Sequence, residues 1–514
     1  MITSVRAKRA VFSIRGILDA SDECGFILLD KQNYETYNPT FCEIKDGSYE
    51  MILNVESMNK QMPLSSGKYY LMRKEGRGLL GETARCQLDA SIDISKSDDE
   101  YIRCSIRQTD TGEIYLSVQT KLPSPGTRSL KKRIIEQGFN AAFQIFNHII
   151  PKSGSKIFIT SGSRAKIGGN EEFIYKEMQK RGWNKKYNIV LDFKANIGMR
   201  YKPAKMIKFI YNLATSDVII VDDYYPEINK VRYSKKVSIF QVWHACGAFK
   251  TVGLERTDKK GAPPINSKVH KCYTHVPVSS RLSAFHQQEA YGIDFDKFYT
   301  VGIPRTDVFF DRDYMNRIRR EIYEEYPRMQ KASRVILYAP TFRGESALDA
   351  HFPFEQVDLM QFGKMCRDTD SYLIVKMHPF VKEKISIPKE YEDYIFDASD
   401  YREVNDLLFV TDILITDYSS VIYEFSLLRR PMLFYAFDEE EYVKERDFYE
   451  SYEETVPGDI CHTFGGLMDA LRSKTDNAGI DNRLESFIDK NFTYTDGKAT
   501  QRVVDLIESC LKER

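Results

Sequence analysis

From residue 156 onward the sequence alternates short, buried-type apolar runs with helical segments, a pattern typical of parallel β-sheets with crossover helices. The predicted strands of a first series cover residues 156–160, 188–192, 217–221, 238–242, 274–278 and 298–302. Those of a second series cover residues 334–339, 372–376, 394–397, 412–416 and 431–435. Because a charged stretch, 311–333, separates the two series, the sequence predicts two doubly wound α/β domains, residues 151–310 and 311–514.

The first 122 residues have a different pattern. Short alternating apolar runs are separated by turn residues, and they cover 10–14, 25–29, 49–55, 68–72, 101–106 and 114–118. This alternation predicts an antiparallel β domain over residues 1–122. Pro123 and Pro125 then mark a linker, because proline continues neither a helix nor a central strand.

Residues 123–150 comprise this linker and a predicted basic, amphipathic helix. Between 127 and 156 the only acidic residue is Glu136, whereas the basic residues are Arg128, Lys131, Lys132, Arg133, Lys152 and Lys156. Phe139, Phe143 and Phe146 recur at helical spacing. Two interpretations remain open: the helix packs on the next domain, or it lies on an anionic membrane. In the second, Arg128, Lys131, Lys132, Arg133 and the three phenylalanines contact the lipid.

The amino-acid composition excludes several classes of function. Lys plus Arg equal Asp plus Glu, at 74 each, so we expect no nucleic-acid partner and only local electrostatic affinity. Nine cysteines without a C-x-x-C pair predict a reducing compartment rather than a disulfide framework or a zinc site. Since no apolar stretch is long enough to span a bilayer, we expect any membrane contact to be peripheral.

Polar side chains follow most of the predicted strands. The main ones are Ser161, Ser163, Arg164, Asp222, Asp223, Trp243, His244, Ser279, Ser280, Arg281, Arg305, Asp307, Thr341, Arg343, His378, Asp417, Ser419 and Ser420. In open α/β sheets, ligands bind at the carboxyl ends of the strands. These groups are mostly cationic or hydroxylic, so the sequence predicts a cleft between the two sheets that binds an anionic phosphate ligand.

His244 is the first candidate catalytic residue, because histidine is the commonest general base for a hydroxyl nucleophile. A lone histidine is more often structural, but His244 follows a strand, and His378 occupies the matching place in the second series. Asp222 and Asp223 are the nearest approach to a metal site, and we expect catalysis without a metal or another cofactor. The P-loop and the G-x-S-x-G motifs do not occur, which argues against the enzyme classes that carry them.

Several segments, in this order, resemble the CDP-glycerol glycerophosphotransferase family of wall teichoic acid polymerases. They are 241–253 (QVWHACGAFKTVG), 301–307 (VGIPRTD), 337–343 (LYAPTFR), 376–379 (KMHP) and 416–420 (TDYSS). Segments 399–406, 431–438 and 446–449 are similar to the ribitol-phosphate polymerases of Gram-positive bacteria. His244 is followed by Ala245, where many glycerol-type members have glycine, and this departure also favours the ribitol branch.

The resemblance implies a GT-B fold, in which two Rossmann-like domains face a cleft, the first for the acceptor and the second for the CDP-polyol donor. It implies transfer of ribitol phosphate from CDP-ribitol to an undecaprenyl-diphosphate-linked teichoic acid chain, with release of CMP, at the cytoplasmic face of the membrane. It also implies roles for individual residues: His244 and His378 are catalytic, and His244 is the base. The same resemblance implies that the diphosphate is held by His378, Arg305, Thr341 and Arg343. It also implies that the residues around the CDP are Asp417, Ser419, Ser420 and Glu424.

Three alternatives to a ribitol-phosphate polymerase remain at this stage. The donor is CDP-glycerol; or the chain is a GT-B glycosyltransferase or epimerase that uses a nucleotide sugar; or it is a non-catalytic scaffold that binds nucleotides or lipid. Assembly into a homo-oligomer is a further expectation. Similarity to one branch of a family does not by itself fix the substrate, because function depends on the site rather than on the fold.

Overall fold

The structure is a computed structural model of the chain. It describes residues 2–8, 10–18, 24–59, 62–75, 79–83, 96–98, 102–109, 111–120, 130–195, 199, 201–256, 263, 267–344, 349–401, 403–446, 448–473 and 482–512. Three regions follow one another along the chain. They are an all-β region, a first α/β unit and a second α/β unit.

The all-β region contains two sheets whose described strand pairings are all antiparallel. Its strands are β1 (Ile2–Lys8), β2 (Val11–Ile17), β3 (Cys24–Asp30), β4 (Glu35–Tyr37), β5 (Phe41–Lys45), β6 (Ser48–Asn54), β7 (Gly67–Glu75), β8 (Leu79–Thr83), β9 (Lys96–Asp98), β10 (Ile102–Gln108) and β11 (Ile114–Thr120). One sheet has the order β1-β2-β6-β5, and the other has the order β4-β3-β7-β11-β10-β9 with β8 beside β7. Phe12, Met51 and Leu116 belong to the core of this region.

The first α/β unit follows helix α1 (Leu130–Ile149). Its strands are β12 (Lys156–Ser161), β13 (Asn188–Phe193), β14 (Val218–Val221), β15 (Ser238–Gln241), β16 (Val276–Pro277) and β17 (Phe298–Tyr299). Its helices are α2 (Gly169–Lys180), α3 (Trp183–Lys186), α4 (Pro203–Thr215) and α5 (Arg281–Tyr291). The main sheet is parallel with the order β13-β12-β14-β15, and a bridge from Phe240 to His275 links it to the parallel pair β16-β17.

The second α/β unit has a six-stranded parallel sheet with the order β20-β19-β18-β21-β22-β23. Its strands are β18 (Arg334–Tyr338), β19 (Ser371–Val375), β20 (Ile395–Asp397), β21 (Ile413–Thr416), β22 (Met432–Tyr435) and β23 (Asp459–Cys461). Its helices are α6 (Arg312–Glu325), α7 (Pro327–Lys331), α8 (Leu359–Asp368), α9 (Val404–Val410), α10 (Val421–Ser426), α11 (Glu439–Arg446), α12 (Tyr452–Thr455), α13 (Phe464–Ser473) and α14 (Asn482–Asn491).

The last helix, α15 (Ala499–Lys512), crosses back to the first unit. Its buried residues Val503 and Ile507 share a core cluster with Ile157 of β12. The Asp307 carboxylate accepts hydrogen bonds from the Ala499 and Thr500 amides, each 2.8 Å long, and so caps the free N–H groups at the start of the helix. A boundary at residue 310 therefore separates the two sheets, while α15 packs with the first of them.

The strands predicted from residue 156 onward are all present, within a few residues of the expected bounds. The six runs predicted before residue 122 also coincide with strands, namely β2, β3, β6, β7, β10 and β11. The sequence patterns missed β1, β4, β5, β8, β9 and β23. Most of these are short or polar strands, such as Glu35–Tyr37 and Lys96–Asp98, whose apolar pattern is too brief to distinguish them from loops.

Candidate active site

His244 lies in the turn after β15, at the carboxyl end of the first parallel sheet. Gln241 fixes this turn: its side-chain oxygen accepts a 3.0 Å hydrogen bond from the Trp243 amide, and its Nε2 donates a 3.1 Å bond to the Asp223 carbonyl. Trp243 has φ of 38°, a left-handed conformation that is strained for a large side chain. Backbone strain just before His244 shows that the surrounding contacts hold this turn in place.

The His244 ring points its Nδ1 at the Asp223 carboxylate, with 3.7 Å between Nδ1 and Oδ1. Nearly half of the side chain, 48%, is open to the cleft. Protein atoms around the ring desolvate its charged form and lower the pKa of His244; Asp223 opposes this effect, and Arg305 adds to it. A neutral imidazole whose Nδ1–H faces a carboxylate has its Nε2 lone pair free to accept a proton.

The segment after His244 enters the second unit. Cys246 and Phe249 belong to the second unit's core cluster. The Phe249 carbonyl accepts a 3.1 Å hydrogen bond from the Tyr449 amide, and the Thr251 hydroxyl donates a 3.1 Å bond to the Arg446 carbonyl. The loop that carries His244 is therefore held by both α/β units.

His378 lies after β19 in the second unit, near Lys250 of the segment that follows His244. Burial lowers its pKa to about 4, and the nearby charges of Lys250, Lys376 and Arg446 act in the same direction. The Phe380 amide donates a 3.2 Å hydrogen bond to Nδ1 of His378, so Nδ1 carries no proton in this arrangement. The neutral ring therefore carries its proton on Nε2, from which it can donate a hydrogen bond to an anion.

Lys250 and Arg446 form a cationic group with His378. Lys250 Nζ donates to the Tyr442 hydroxyl over 3.1 Å, and Arg446 Nη2 donates to the Gly344 carbonyl over 2.7 Å. These hydrogen-bond acceptors are neutral, and among the described residues neither cation forms a salt bridge with a carboxylate. Sequence reasoning missed both residues as cations of the site, although each lies in a segment that carries the family resemblance.

Arg343 is paired with two carboxylates in the structure, and its contact with a diphosphate stays a prediction. Its Nε and Nη2 donate to the two oxygens of Asp438 over 2.5 and 2.8 Å, and its Nη1 donates to Asp417 Oδ2 over 3.0 Å. Both carboxylates neutralise the guanidinium, which is only 8% exposed. These carboxylates raise the pKa of Arg343 by more than burial lowers it.

Thr341 and Asp417 belong to the same buried network, and their contact with the donor stays a prediction. The Thr341 amide and hydroxyl donate to Asp417 Oδ1 over 2.8 and 2.9 Å. Thr341 is 6% and Asp417 1% exposed. Together with Arg343 these residues connect β18 with β21 beneath the cleft, and they act as a structural support for it.

Arg305 and Glu424 form an ion pair that joins the two units. Arg305 lies in the turn 304–310 of the first unit and keeps 24% of its side chain exposed, whereas Glu424 on α10 is fully buried. Glu424 therefore contacts Arg305 rather than an open ligand surface, which differs from the expectation that it lies around the CDP. Ser419 and Ser420 are half-buried at the start of α10, with Ser419 Oγ accepting a 3.3 Å bond from the Val421 amide.

Residues 142–509 match the model of the CDP-Glycerol:Poly(glycerophosphate) glycerophosphotransferase family. The chain belongs to this family. It is therefore a transferase, as the resemblance implied, and the family assignment rests on a match that spans both α/β units.

The family relatives include polymerases named for ribitol phosphate. This chain is 38% identical over 480 residues to the teichoic acid ribitol-phosphate polymerase TarL of Staphylococcus aureus, covering 92% of this chain and 83% of that protein. It is 44% identical over 367 residues to the ribitol-phosphate polymerase TarK of the same species, covering 71% of each chain. A glycerol-phosphate primase of Bacillus subtilis is 32% identical over 317 residues, or 60% of this chain and 78% of that one.

Among solved structures, the wall teichoic acid polymerase TagF is similar in fold. It superposes with a TM-score of 0.59 at 23% sequence identity, covering 74% of this chain and 96% of TagF. The family member described here thus shares with TagF a mixed α/β architecture with parallel sheets.

In this glycerophosphotransferase family member, α1 packs its phenylalanines inward, which corrects the prediction that they enter a lipid layer. Phe139 and Phe143 are 7% and 1% exposed and belong to the core cluster of the first unit. Phe146 packs edge-on against Tyr211 of α4, with 5.6 Å between ring centroids. Arg133 is exposed; Arg128 lies outside the described residues, as do the side chains of Lys131 and Lys132.

Other positions of α1 leave large apolar side chains in solvent. Ile134, Ile135, Ile145 and Ile149 are 59%, 61%, 55% and 73% exposed. Ile207 of the neighbouring helix α4 is 55% exposed. None of the helices that the structure describes is long and apolar enough to cross a membrane. Within the same described residues, no group of three His, Cys, Asp or Glu side chains is placed to hold a metal ion.

Proposed function

We propose that this chain is a ribitol-phosphate polymerase that transfers ribitol phosphate from CDP-ribitol to a lipid-linked teichoic acid chain and releases CMP. The observation that carries the proposal is that His244, whose Nδ1 faces Asp223, lies on the same loop as Lys250, which is near His378 and Arg446. The relatives named as ribitol-phosphate polymerases support the choice of donor. The two parallel sheets with a cleft between them fit a GT-B arrangement, preceded by the antiparallel β region.

In the proposed reaction, a terminal hydroxyl of the acceptor chain attacks the β-phosphorus of the CDP-polyol. His244 Nε2 takes the hydroxyl proton as the new phosphorus–oxygen bond forms. The bond between the β-phosphorus and the bridging oxygen breaks, and the electron pair leaves with CMP. Phosphoryl transfer of this kind depends mainly on positioning and on stabilising the developing charge of the phosphoryl oxygens.

We place the diphosphate of the donor against the second unit, between Lys250, Arg446 and the Nε2–H of His378. These cations have neutral described partners, so a bound diphosphate would supply the missing negative charge. Arg305 faces the cleft from the first unit, with Glu424 behind it to fix its orientation. The half-buried hydroxyls of Ser419 and Ser420 are the remaining donor-binding candidates.

CMP release is the direct test of the proposed function. The purified protein is mixed with a teichoic acid acceptor and with CDP-ribitol, CDP-glycerol or a UDP-sugar, and CMP or UDP is measured. We expect CMP from CDP-ribitol at the highest kcat/KM. CMP release from CDP-glycerol alone would support the glycerol alternative, and UDP release would identify a glycosyltransferase or epimerase. If no donor releases a nucleotide, the chain is a non-catalytic protein that binds nucleotides or lipid.

The donor site has its own test in CDP affinity. Lys250→Met and Arg446→Met should each weaken CDP binding by tenfold or more, because truncating one partner of a desolvated charge pair costs about 2–5 kcal/mol. Lys384→Met is the matched control, because Lys384 is 75% exposed and pairs with Asp400 on the surface of the same unit. Unchanged CDP affinity in both test variants would move the diphosphate site elsewhere.

We also propose that the exposed face of α1 and α4 rests on an anionic membrane, where a lipid-linked acceptor resides. The face is defined here by Ile145, Ile149 and Ile207, with the exposed Arg133 and Lys208 beside it. Apolar side chains in the acyl boundary and basic side chains near anionic headgroups both favour such binding. This surface replaces the three phenylalanines of the sequence prediction as the contact with lipid.

A further inference from the structure

Asn170 lies on the first turn of α2, is 1% exposed, and uses both ends of its amide in hydrogen bonds. Its Nδ2 donates to the carbonyls of Val242 and Trp243 over 2.8 and 2.6 Å. Its Oδ1 accepts from the backbone amide of Arg305 over 2.9 Å. An asparagine side chain has two donor hydrogens and one carbonyl acceptor, so these three bonds use both of its donors.

These bonds join two segments that are far apart in the sequence. One is the turn after β15 that contains His244, and the other is the turn 304–310 that contains Arg305. Trp243 sits between them in the strained left-handed region, with φ of 38°. A strained backbone persists only where its surroundings fix it, and the 2.6 Å bond from Asn170 to the Trp243 carbonyl is one such constraint.

We propose that Asn170 is a positioning residue that sets the distance and orientation between His244 and Arg305. It acts through the backbone on either side of the cleft floor and does not touch the substrate. The inference rests on the proposed function, because it assigns Asn170 a role in the reaction that His244 and Arg305 serve.

The chemistry of the site requires an amide at this position. Aspartate would place a carboxylate against the carbonyls of Val242 and Trp243, losing two donors and adding repulsion. Serine has one hydroxyl donor and a shorter reach, so it can keep part of the arrangement. Alanine leaves all three backbone groups without their side-chain partner. The expected order of turnover is therefore Asn170, then Asn170→Ser, then Asn170→Ala and Asn170→Asp.

The experiment measures kcat and KM for CDP-ribitol, CDP affinity by calorimetry, and the thermal midpoint of each variant. Asn170→Ala should lower kcat by about 10²-fold, the cost of misplacing reacting groups by about 1 Å. CDP affinity should fall far less than kcat, because Lys250, Arg446 and His378 hold the diphosphate without Asn170 and only Arg305 depends on it. This division between kcat and CDP binding separates positioning from a general loss of folded protein.

Asn212→Ala is the matched control. Asn212 is also a buried asparagine of the first unit, 3% exposed on α4, and its Oδ1 accepts a 3.0 Å bond from Lys156 Nζ. This variant should lower the thermal midpoint and leave kcat at the wild-type value when the assay runs well below that midpoint.

A wild-type kcat in Asn170→Ala overturns the inference. So does a fall in kcat that matches the Asn212→Ala control. If Asn170→Ala does not fold, the test uses Asn170→Ser and Asn170→Asp. A wild-type kcat in both of these variants overturns the inference. If the wild-type protein releases no CMP from any CDP-polyol, the proposed function is contradicted instead. Failure of the inference and failure of the proposed function therefore give different results.

Discussion

Gly247 of the His244 loop lies against the ring of Tyr423 in the second unit, so closely that a Cβ atom on Gly247 would be 2.1 Å from Tyr423 Cε1. Only a residue without a side chain fits this contact. The loop that carries the candidate base is thereby packed into the unit that carries the candidate donor site. A shift of one unit relative to the other would move His244 as well, which makes the geometry of the cleft depend on this contact.

Gly247→Ala should destabilise the protein and reduce turnover. The added methyl group overlaps the Tyr423 ring, and overpacking of a buried contact costs typically about 1–3 kcal/mol. Thermal unfolding and CMP release measure the two effects. Gly465→Ala is the control, because a Cβ atom at Gly465, on the exposed surface of α13, would have no atom within 4 Å. Gly247→Ala with the stability of wild type would contradict the packing described here.

Arg343→Met should reduce stability far more than it reduces CDP affinity. The change leaves the buried carboxylates of Asp417 and Asp438 without their cation, and breaking a buried ion pair in this way costs about 3–5 kcal/mol. Urea unfolding gives the stability and calorimetry gives the CDP affinity. Arg317→Met, which breaks an exposed pair with Glu321, is the control and should have little effect. A stable Arg343→Met protein that no longer binds CDP would restore Arg343 as a donor ligand.

Asp223→Asn should move the acid limb of the pH–rate profile to lower pH. The Asp223 carboxylate stabilises the imidazolium of His244 and so raises its pKa, opposing the desolvation that lowers it. Without the carboxylate the pKa of His244 falls further, and the ring stays neutral, and competent as a base, at lower pH. Turnover at the optimum should fall by about 10²-fold, because Nδ1–H loses the group that orients it.

The profile of kcat/KM against pH, measured by CMP release, checks this prediction. Asp192→Asn is the control, because Asp192 lies on β13 in the same sheet and pairs with Lys205 rather than with His244. The control should keep the wild-type acid limb. A shift of the Asp223→Asn limb to higher pH would show that His244 is not the group whose ionisation the profile reports.

Changing Ile145 and Ile149 together to Asp should release the protein from vesicles of equal parts phosphatidylglycerol and phosphatidylcholine. Full burial of an isoleucine side chain contributes about 1.5–3 kcal/mol, so losing two should reduce the bound fraction at least tenfold. Binding should also weaken as salt rises, because ions screen the basic residues. Co-sedimentation measures both. Met360→Asp, at an exposed apolar residue of the second unit, is the control.

If the Ile145 and Ile149 variant sediments as well as wild type, α1 is a structural brace and lipid contact lies elsewhere. Changing Lys131, Lys132 and Arg133 to Glu separates the charge contribution from the apolar one. That variant should lose binding most clearly at low salt, where screening is weakest.

Residues of the candidate site were found from the sequence where the signal was local. His244 and His378 each follow an apolar run, and in the structure both lie after parallel strands. Arg343 also follows such a run, but its charge is neutralised by Asp438, which is 95 residues away in the sequence. Arg446 shows no strand-end signal and keeps neutral described partners. Which arginine remains available to a ligand depends on contacts that no local pattern contains.

The sequence by itself determined where the strands of both α/β units form, apart from β23, and which residues follow them, because strand formation depends on apolar periodicity over a few neighbouring residues. It also determined the family, through motifs spread over both units. The tertiary structure alone decided that Phe139 and Phe143 face the protein core and Ile145 faces solvent. It likewise decided that α15 returns to the first unit and that Asn170 links the turns of His244 and Arg305. Burial and charge neutralisation depend on which segments, distant in the sequence, come into contact. A periodic pattern shows only that one face of an element is apolar, and it does not show which residues cover that face.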